Sequence, residues 1–249
     1  PIVEISALED PRIAIYAHLK TTNQTRSLEQ FVVEGEKLVA RLLRSRFPVV
    51  SVLVTDRHWP RVRLTIPEHV TTYVLPHRLI DALVGFEFHR GVLACGERRP
   101  WGGLGERIPP PPQPFWAVVC PKIESPDNLG SIVRLADVFG VDLVLVGGQG
   151  PDPLSRRVLR VSMGTVLDVP VLSSNDLASD LDRLEHEFGL ELLGRWPRLV
   201  HDLTLDFYGV GVVGSHLLSM ALAVSHVSQT STGMSDTTSV FRSAMIDTT

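Results

Sequence analysis

Charge is scarce at one end of this 249-residue chain: between residues 207 and 249 only Asp236, Arg242 and Asp247 are formally charged. Cysteine is scarce throughout, with Cys95 and Cys120 alone. Two cysteines without a histidine cluster leave a disulfide framework and a metal site unsupported, and a reducing cytoplasm is expected. Aromatic residues make up 6%, against 44% hydrophobic and 21% charged. That balance excludes disordered and collagen-like classes and fits a folded chain. The net charge of -4 gives the whole chain no field for strong nonspecific nucleic-acid binding. The opening Pro1-Ile2-Val3-Glu4 lacks a basic region followed by an apolar run, so no secretory signal is expected. The charge-free stretch Phe207–Ser235 is long enough for a membrane helix, which needs about 20 mainly apolar residues. Gly209, Gly211, Gly214, His216 and His226 interrupt it, and no membrane partner is expected.

What is present divides unevenly. Residues 1–114 hold 15 Lys and Arg against 12 Asp and Glu, whereas residues 115–249 hold 9 against 16. The break falls at Trp101-Gly102-Gly103-Leu104-Gly105 and the proline run from Pro109 to Pro112. Glycines loosen a chain and prolines stiffen it, so residues 101–114 read as a linker between domains at 1–100 and 115–249. A long surface loop within one domain is the other reading.

The first half reads as a small α/β unit. Asp10-Pro11 is a helix start, with Ile13, Tyr16 and Ala17 on one face. Phe31-Val32-Val33, Val49–Val54, Val70–Leu75 and Gly91–Cys95 read as strands. Leu38, Val39, Leu42 and Leu43 follow helical spacing, and Leu79–Val84 is a short helix. Helices alternating with strands predict a mixed or parallel sheet. Arg41, Arg44, Arg46, Arg57, Arg61 and Arg63 gather with His58 and Trp59. Guanidinium groups pair with phosphate and an aromatic ring stacks on a base, so an RNA-facing surface is one reading. A solvated rim whose arginine stems cover apolar surface is the other.

The second half opens with a strand at Phe115–Cys120, a loop at 121–130, a helix at Ser131–Phe139 and a strand at Val141–Val146. Ile132, Leu135, Ala136 and Phe139 share one stripe, and Gly140 ends the helix. This is a βαβ unit with parallel strands, and ligands of such sheets bind beyond the carboxyl ends of the strands. Asp127 or Asn128 can cap the helix, Gly130 permits a close approach to the backbone, and Arg134 stands within about two turns. A cation there can bind phosphate or orient an oxygen nucleophile; an N-cap beside a solvent arginine explains the same residues. Gly147-Gly148-Gln149-Gly150 lacks the G-x-G-x-x-G pattern, with Pro153 in the third glycine's place, and reads as a tight turn.

Asp127-Asn128-x-Gly130-x-Ile132-x-Arg134 followed by Ala136-Asp137-x-Phe139-Gly140-Val141 resembles the first motif of the SpoU-type RNA ribose methyltransferases, in the SPOUT superfamily. Phe31–Lys37 and His89–Val92 resemble the start and end of that family's amino-terminal substrate-binding domain. Arg160–Thr165 and Asp168–Val171 resemble its segment after the second strand. The resemblance spans about residues 8–206 in consistent order. It implies an α/β fold with a trefoil knot, a homodimer, and methyl transfer from S-adenosylmethionine to a ribose 2′-hydroxyl of rRNA or tRNA. It further implies that Asn128 shapes the active-site loop and that Arg134 steers the RNA phosphate and helps activate the hydroxyl. Gly214 and Ser215 fall where the family holds its cofactor, and Arg41, Arg44, Arg57 and Arg61 fall in the half expected to meet RNA. No metal is required by that chemistry.

The tail departs from the pattern. The second motif normally reads Gly-Ser-Glu-x-x-Gly-Leu-Ser; here Gly214-Ser215-His216-Leu217-Leu218-Ser219 lacks the glutamate and the second glycine. The third motif's Ser-Leu-Asn becomes Thr237-Thr238-Ser239. A diverged, truncated or frame-shifted tail is expected, with a catalytically impaired RNA-binding relative as the alternative.

Overall fold

The computed structural model describes residues 1–19, 27–110, 113–193 and 211–214. The first half carries β1 (Ile2–Glu4), a 3-10 turn (Pro11–Tyr16), β2 (Gln30–Glu34), α1 (Glu36–Arg44), β3 (Val49–Thr55) and α2 (Trp59–Val62). It continues through β4 (Thr72–Leu75), α3 (Ile80–Val84) and β5 (Val92–Glu97). Asp10 accepts from the Arg12 amide ahead of Pro11, as its cap signature predicts. These strands form one sheet in the order β1-β4-β3-β5-β2. β1, β4 and β3 run parallel, and β5 runs antiparallel to both β3 and β2.

The second half carries α4 (Leu104–Arg107), β6 (Trp116–Cys120), α5 (Pro126–Val138), β7 (Leu143–Gly147) and α6 (Arg156–Val161). β8 (Val171–Ser174), α7 (Leu177–His186), β9 (Glu191–Leu193) and β10 (Gly211–Gly214) follow. Its sheet runs β8-β7-β6-β10-β9. β6, β7 and β8 are parallel, as the βαβ reading predicts, while β10 is antiparallel to β6 and β9. The residues expected to be a linker hold α4, whose Leu104 is buried with Phe115 and Leu184.

Strand alternation explains why both sheets are covered on both faces. Successive side chains of a strand point to opposite faces. Val52 and Val54 enter one core with Val92 and Ala94, while Leu53, Leu93 and Cys95 enter another with Ile13 and Tyr16. In the second sheet Val118 and Val144 face one way, and Ala117, Val119, Leu143 and Leu145 the other. The largest core contains Phe31, Leu38 and Leu42 of the first half together with Val118, Leu129, Val133 and Val158 of the second. One apolar layer is thus shared between the two sheets.

Ion pairs cross the same joint. Arg156 of α6 reaches Glu34 of β2 at 2.8 Å, Arg98 grips Asp152 through two nitrogens, and Arg41 of α1 meets Asp168 at 2.5 Å. Among the described residues no helix is long and apolar enough to cross a membrane.

Candidate active site and basic groove

α5 begins five residues earlier than the sequence predicts. Ser125, rather than Asp127 or Asn128, caps it by accepting from the Asp127 amide at 3.2 Å, and Pro126 occupies the first turn. A proline there loses no intrahelical bond and has its φ preset, so the serine–proline pair outcompetes the residues that follow. Asp127 is instead held from α6 by Arg157 at 2.6 Å. Arg134 consequently lies in the third turn of α5 rather than the second.

The buried face of α5 also differs from the predicted stripe. Leu129, Gly130, Val133 and Ala136 are buried, whereas Leu135 and Phe139 are each about 40% exposed and Val138 is more so. The helix is apolar on two sides, and packing against α6 selects between them. Gly130 is the key to that packing. A Cβ there would lie 2.7 Å from the Cβ of Val161, so the close approach it permits is that of α6, not of a ligand.

Asn128 and Arg134 both stand exposed on α5, separated by about 9 Å along its axis. Neither side chain has a hydrogen bond or ion pair among the described residues. Near them Lys122 and Glu124 form an exposed ion pair at 2.8 Å. At the carboxyl ends of β6 and β7, a Cβ on Gly147 would collide with the Pro121 carbonyl oxygen at 2.4 Å. Gly148, in the left-handed region at φ 67°, has open space beyond it. Gly147 thus lets the turn pack against the loop leading to Asn128, and Gly148 alone of the two leaves open backbone there. Gly214 is paired with Trp116, at the opposite end of β6 from that crevice. Ser215 lies outside the described residues, as does the rest of the altered tail. Among the described residues no group of three or more His, Cys, Asp or Glu is placed to hold a metal ion.

The basic residues of the first half do not form one uniform surface. Arg46 lies 4.4 Å from the Trp101 ring centroid and donates to the carbonyls of Arg99 and Pro100. Burial, with Arg107 and Arg99 close by, lowers its pKa from the usual value. Arg61 reaches Glu36 at 3.1 Å while remaining largely exposed. Arg41 is held by Asp168 and, at 3.2 Å, by Asp137 of α5. Burial opposes its charge, but the Asp168 and Asp137 carboxylates outweigh that and raise its pKa. Arg44 and Arg57 are exposed, and neither side chain has a partner among the described residues. Lys37, Arg41 and Arg44 share one face of α1 and border a groove of about 430 Å3, with Met163 and Asp168 on its other wall. Sequence reasoning named Arg41 and Arg44 but missed Met163 and Asp168; the i, i+4, i+7 spacing from Lys37 was the available signal.

Residues 116–213 match the family model described as the SpoU rRNA Methylase family. An uncharacterized tRNA/rRNA methyltransferase of Mycobacterium bovis is 31% identical over 194 residues, covering 76% of this chain and 66% of that protein. The chain thus spans just under two thirds of that relative's length. The 23S rRNA (guanosine(2553)-2'-O)-methyltransferase RlmP of Bacillus subtilis is 24% identical over 192 residues, covering 77% of this chain and 72% of its own. In overall shape the chain resembles the AdoMet-bound rRNA methyltransferase from Sinorhizobium meliloti, with a TM-score of 0.60 and 22% identity. That match covers 73% of this chain and 67% of the other.

Proposed function

Because the chain belongs to the SpoU rRNA methylase family, we propose that it transfers a methyl group from S-adenosylmethionine to a ribose 2′-hydroxyl of rRNA or tRNA. The observation that carries this reading is the pairing of Asn128 with an uncommitted Arg134 on α5, within the segment that matches the family model. The partition follows the sequence reading: residues 1–100 receive RNA, 101–114 connect, and 115–249 carry the transfer.

The fit to the cofactor is divided. The open backbone at Gly148 suits a bound ligand, whereas Gly214 stands at the wrong end of β6 to join it. When bound, S-adenosylmethionine supplies a sulfonium methyl that is already a good electrophile. The chain's own residues then hold the ribose and ease loss of its hydroxyl proton to solvent water. A permanent cation at Arg134 can grip the neighbouring phosphate and favour the hydroxyl's developing negative charge. Asn128, beyond the Ser125 cap, presents an amide that can donate to or accept from the RNA and fix its approach. Both act by positioning, which lowers a barrier without a covalent intermediate.

The working unit in this reading is a homodimer in the cytoplasm. The exposed apolar side chains of Leu135 and Val138 on α5 favour a second copy as their cover. Titrating the protein with S-adenosylmethionine in a calorimeter, and assaying methyl transfer to rRNA and tRNA transcripts, tests the activity. Heat of binding and labelled 2′-O-methyl nucleotide are expected; folded protein that shows neither overturns it. A mass by light scattering that stays monomeric at high concentration overturns the dimer alone.

A catalytically impaired RNA-binding relative is the second reading. It is favoured by the missing glutamate after Ser215 and by the antiparallel placement of the strand carrying Gly214. RNA binding without cofactor binding selects it.

A further inference from the structure

The groove beside α1 is built from both halves of the protein. Lys37, Arg41 and Arg44 form one wall, and Met163 and Asp168 form the other. The three cations are not equivalent. Arg41 is committed to Asp168 and Asp137, while Lys37 and Arg44 have no partner among the described residues. The opposite wall is pressed into place. Met163 and Gly164 take consecutive left-handed conformations, at φ 56° and 83°. Gly164 is in the left-handed region, and a Cβ on it would lie 3.1 Å from the Cδ of Arg41, so glycine suits the turn where it meets α1. The turn holds Met163 at 45% exposure, an apolar side chain with no core to fill. Arg41, a lining residue, also reaches Asp137, which stands three residues beyond Arg134 on α5, about one helical turn away.

We propose that this groove is the track on which the RNA backbone passes from the first sheet to Arg134. Lys37 and Arg44 each hold a phosphate, and Met163 packs against a ribose or base. Arg41 touches no RNA; clamped between two carboxylates, it is the strut that fixes the two walls at one separation. The assignment rests on the reading that the chain acts on RNA. It narrows that reading by removing Arg41 from the RNA contacts and adding Lys37 and Met163. Phosphate neutralisation by side chains releases counterions, so each contact leaves a mark in the salt dependence of binding.

The test uses the full chain and fluorescence anisotropy with rRNA and tRNA transcripts, between about 50 and 200 mM salt. The double variant Lys37→Glu/Arg44→Glu is compared with Arg12→Glu/Arg183→Glu, which changes net charge equally at residues outside the groove. The groove variant is expected to bind at least about tenfold more weakly, with a salt slope smaller by about 2, one for each lost phosphate contact. The control is expected to stay within about threefold, since neither of its residues lines the groove. Met163→Ala is expected to weaken binding with the salt slope unchanged, because its contact is apolar. Circular dichroism and melting establish that each variant is folded, and Lys37→Ala/Arg44→Ala repeats the test without charge reversal. If the unaltered protein binds RNA but the groove variants match the control, the track is overturned and the broader function stands. If the unaltered protein binds no RNA, the broader function itself fails.

Discussion

Replacing Glu34 with glutamine is expected to loosen the joint between the two sheets. Glu34 lies on β2 with its side chain only 7% exposed. Its carboxylate accepts from Arg156 at 2.8 Å and stands 3.7 Å from Arg160, both on α6. Arg156 also donates to the Leu19 carbonyl and lies 4.9 Å from the Phe86 ring centroid, so it is fixed even without the carboxylate. Glutamine keeps the volume but removes the charge. Removing one partner of a fully buried pair costs about 3–5 kcal/mol, because the other charge is stranded. Here the loss is smaller. Arg156 retains its carbonyl partner and is about a quarter exposed, and Arg160 can turn to solvent. About 2 kcal/mol is expected, which for a chain of this size lowers the melting midpoint by about 4–8 °C. Differential scanning fluorimetry measures it, and a double-mutant cycle with Arg156→Gln isolates the pair. A midpoint within 1 °C of the unaltered protein, or an equal loss in the Arg156→Gln background, refutes the claim that this pair ties the halves together.

Gly130→Ala places a methyl group against Val161, so the overpacking cost of about 1–3 kcal/mol should exceed the helix-propensity gain of about 1 kcal/mol. Denaturant titration showing a stabilised variant would contradict the α5–α6 contact. Arg134→Ala is expected to lower methyl transfer by about 10²–10³-fold, the usual cost of one charge-stabilising group, with the melting midpoint unchanged. Activity within twofold of the unaltered protein removes Arg134 from the chemistry. Burial raises Tyr16 and pushes the Cys95 and Cys120 thiols up to about 12. Folded groups that hold protons more tightly than unfolded ones leave stability level below about pH 9 and reduce it as pH climbs toward 12. Urea midpoints that hold steady from pH 8 to 11, or thiols that react with Ellman's reagent without unfolding, would be inconsistent with that burial.

Much of the fold is legible from local patterns. The apolar, largely β-branched or aromatic runs at Phe31–Val33, Val49–Val54 and Phe115–Cys120 each became a strand at nearly those bounds, because a short run of that kind suits a strand buried on both faces. The βαβ unit and its parallel strands followed from spacing and Gly140. The choice of buried face on α5 was not legible. Both Ile132-Leu135-Ala136-Phe139 and Leu129-Val133-Ala136 satisfy helical spacing, and the decision rested on a glycine meeting Val161 thirty-one residues away. The basic cluster was legible as composition only. Nothing local marks Arg41 as bound to Asp168 while its neighbour Arg44 is left to solvent.

The sequence by itself determined the alternation of strands and helices, the family motif around Asn128 and Arg134, and the loss of that motif's later partners after Gly214. These are properties of residue order, and local sterics and hydrophobic period suffice to express them. Only the tertiary structure decided which arginines are struts and which are open to a ligand, and that α1 and the Met163 turn face each other across a groove. A charge acquires its role from what lies within a few ångströms, and those neighbours come from chain segments far apart in sequence, Arg41 and Asp168 being 127 residues apart.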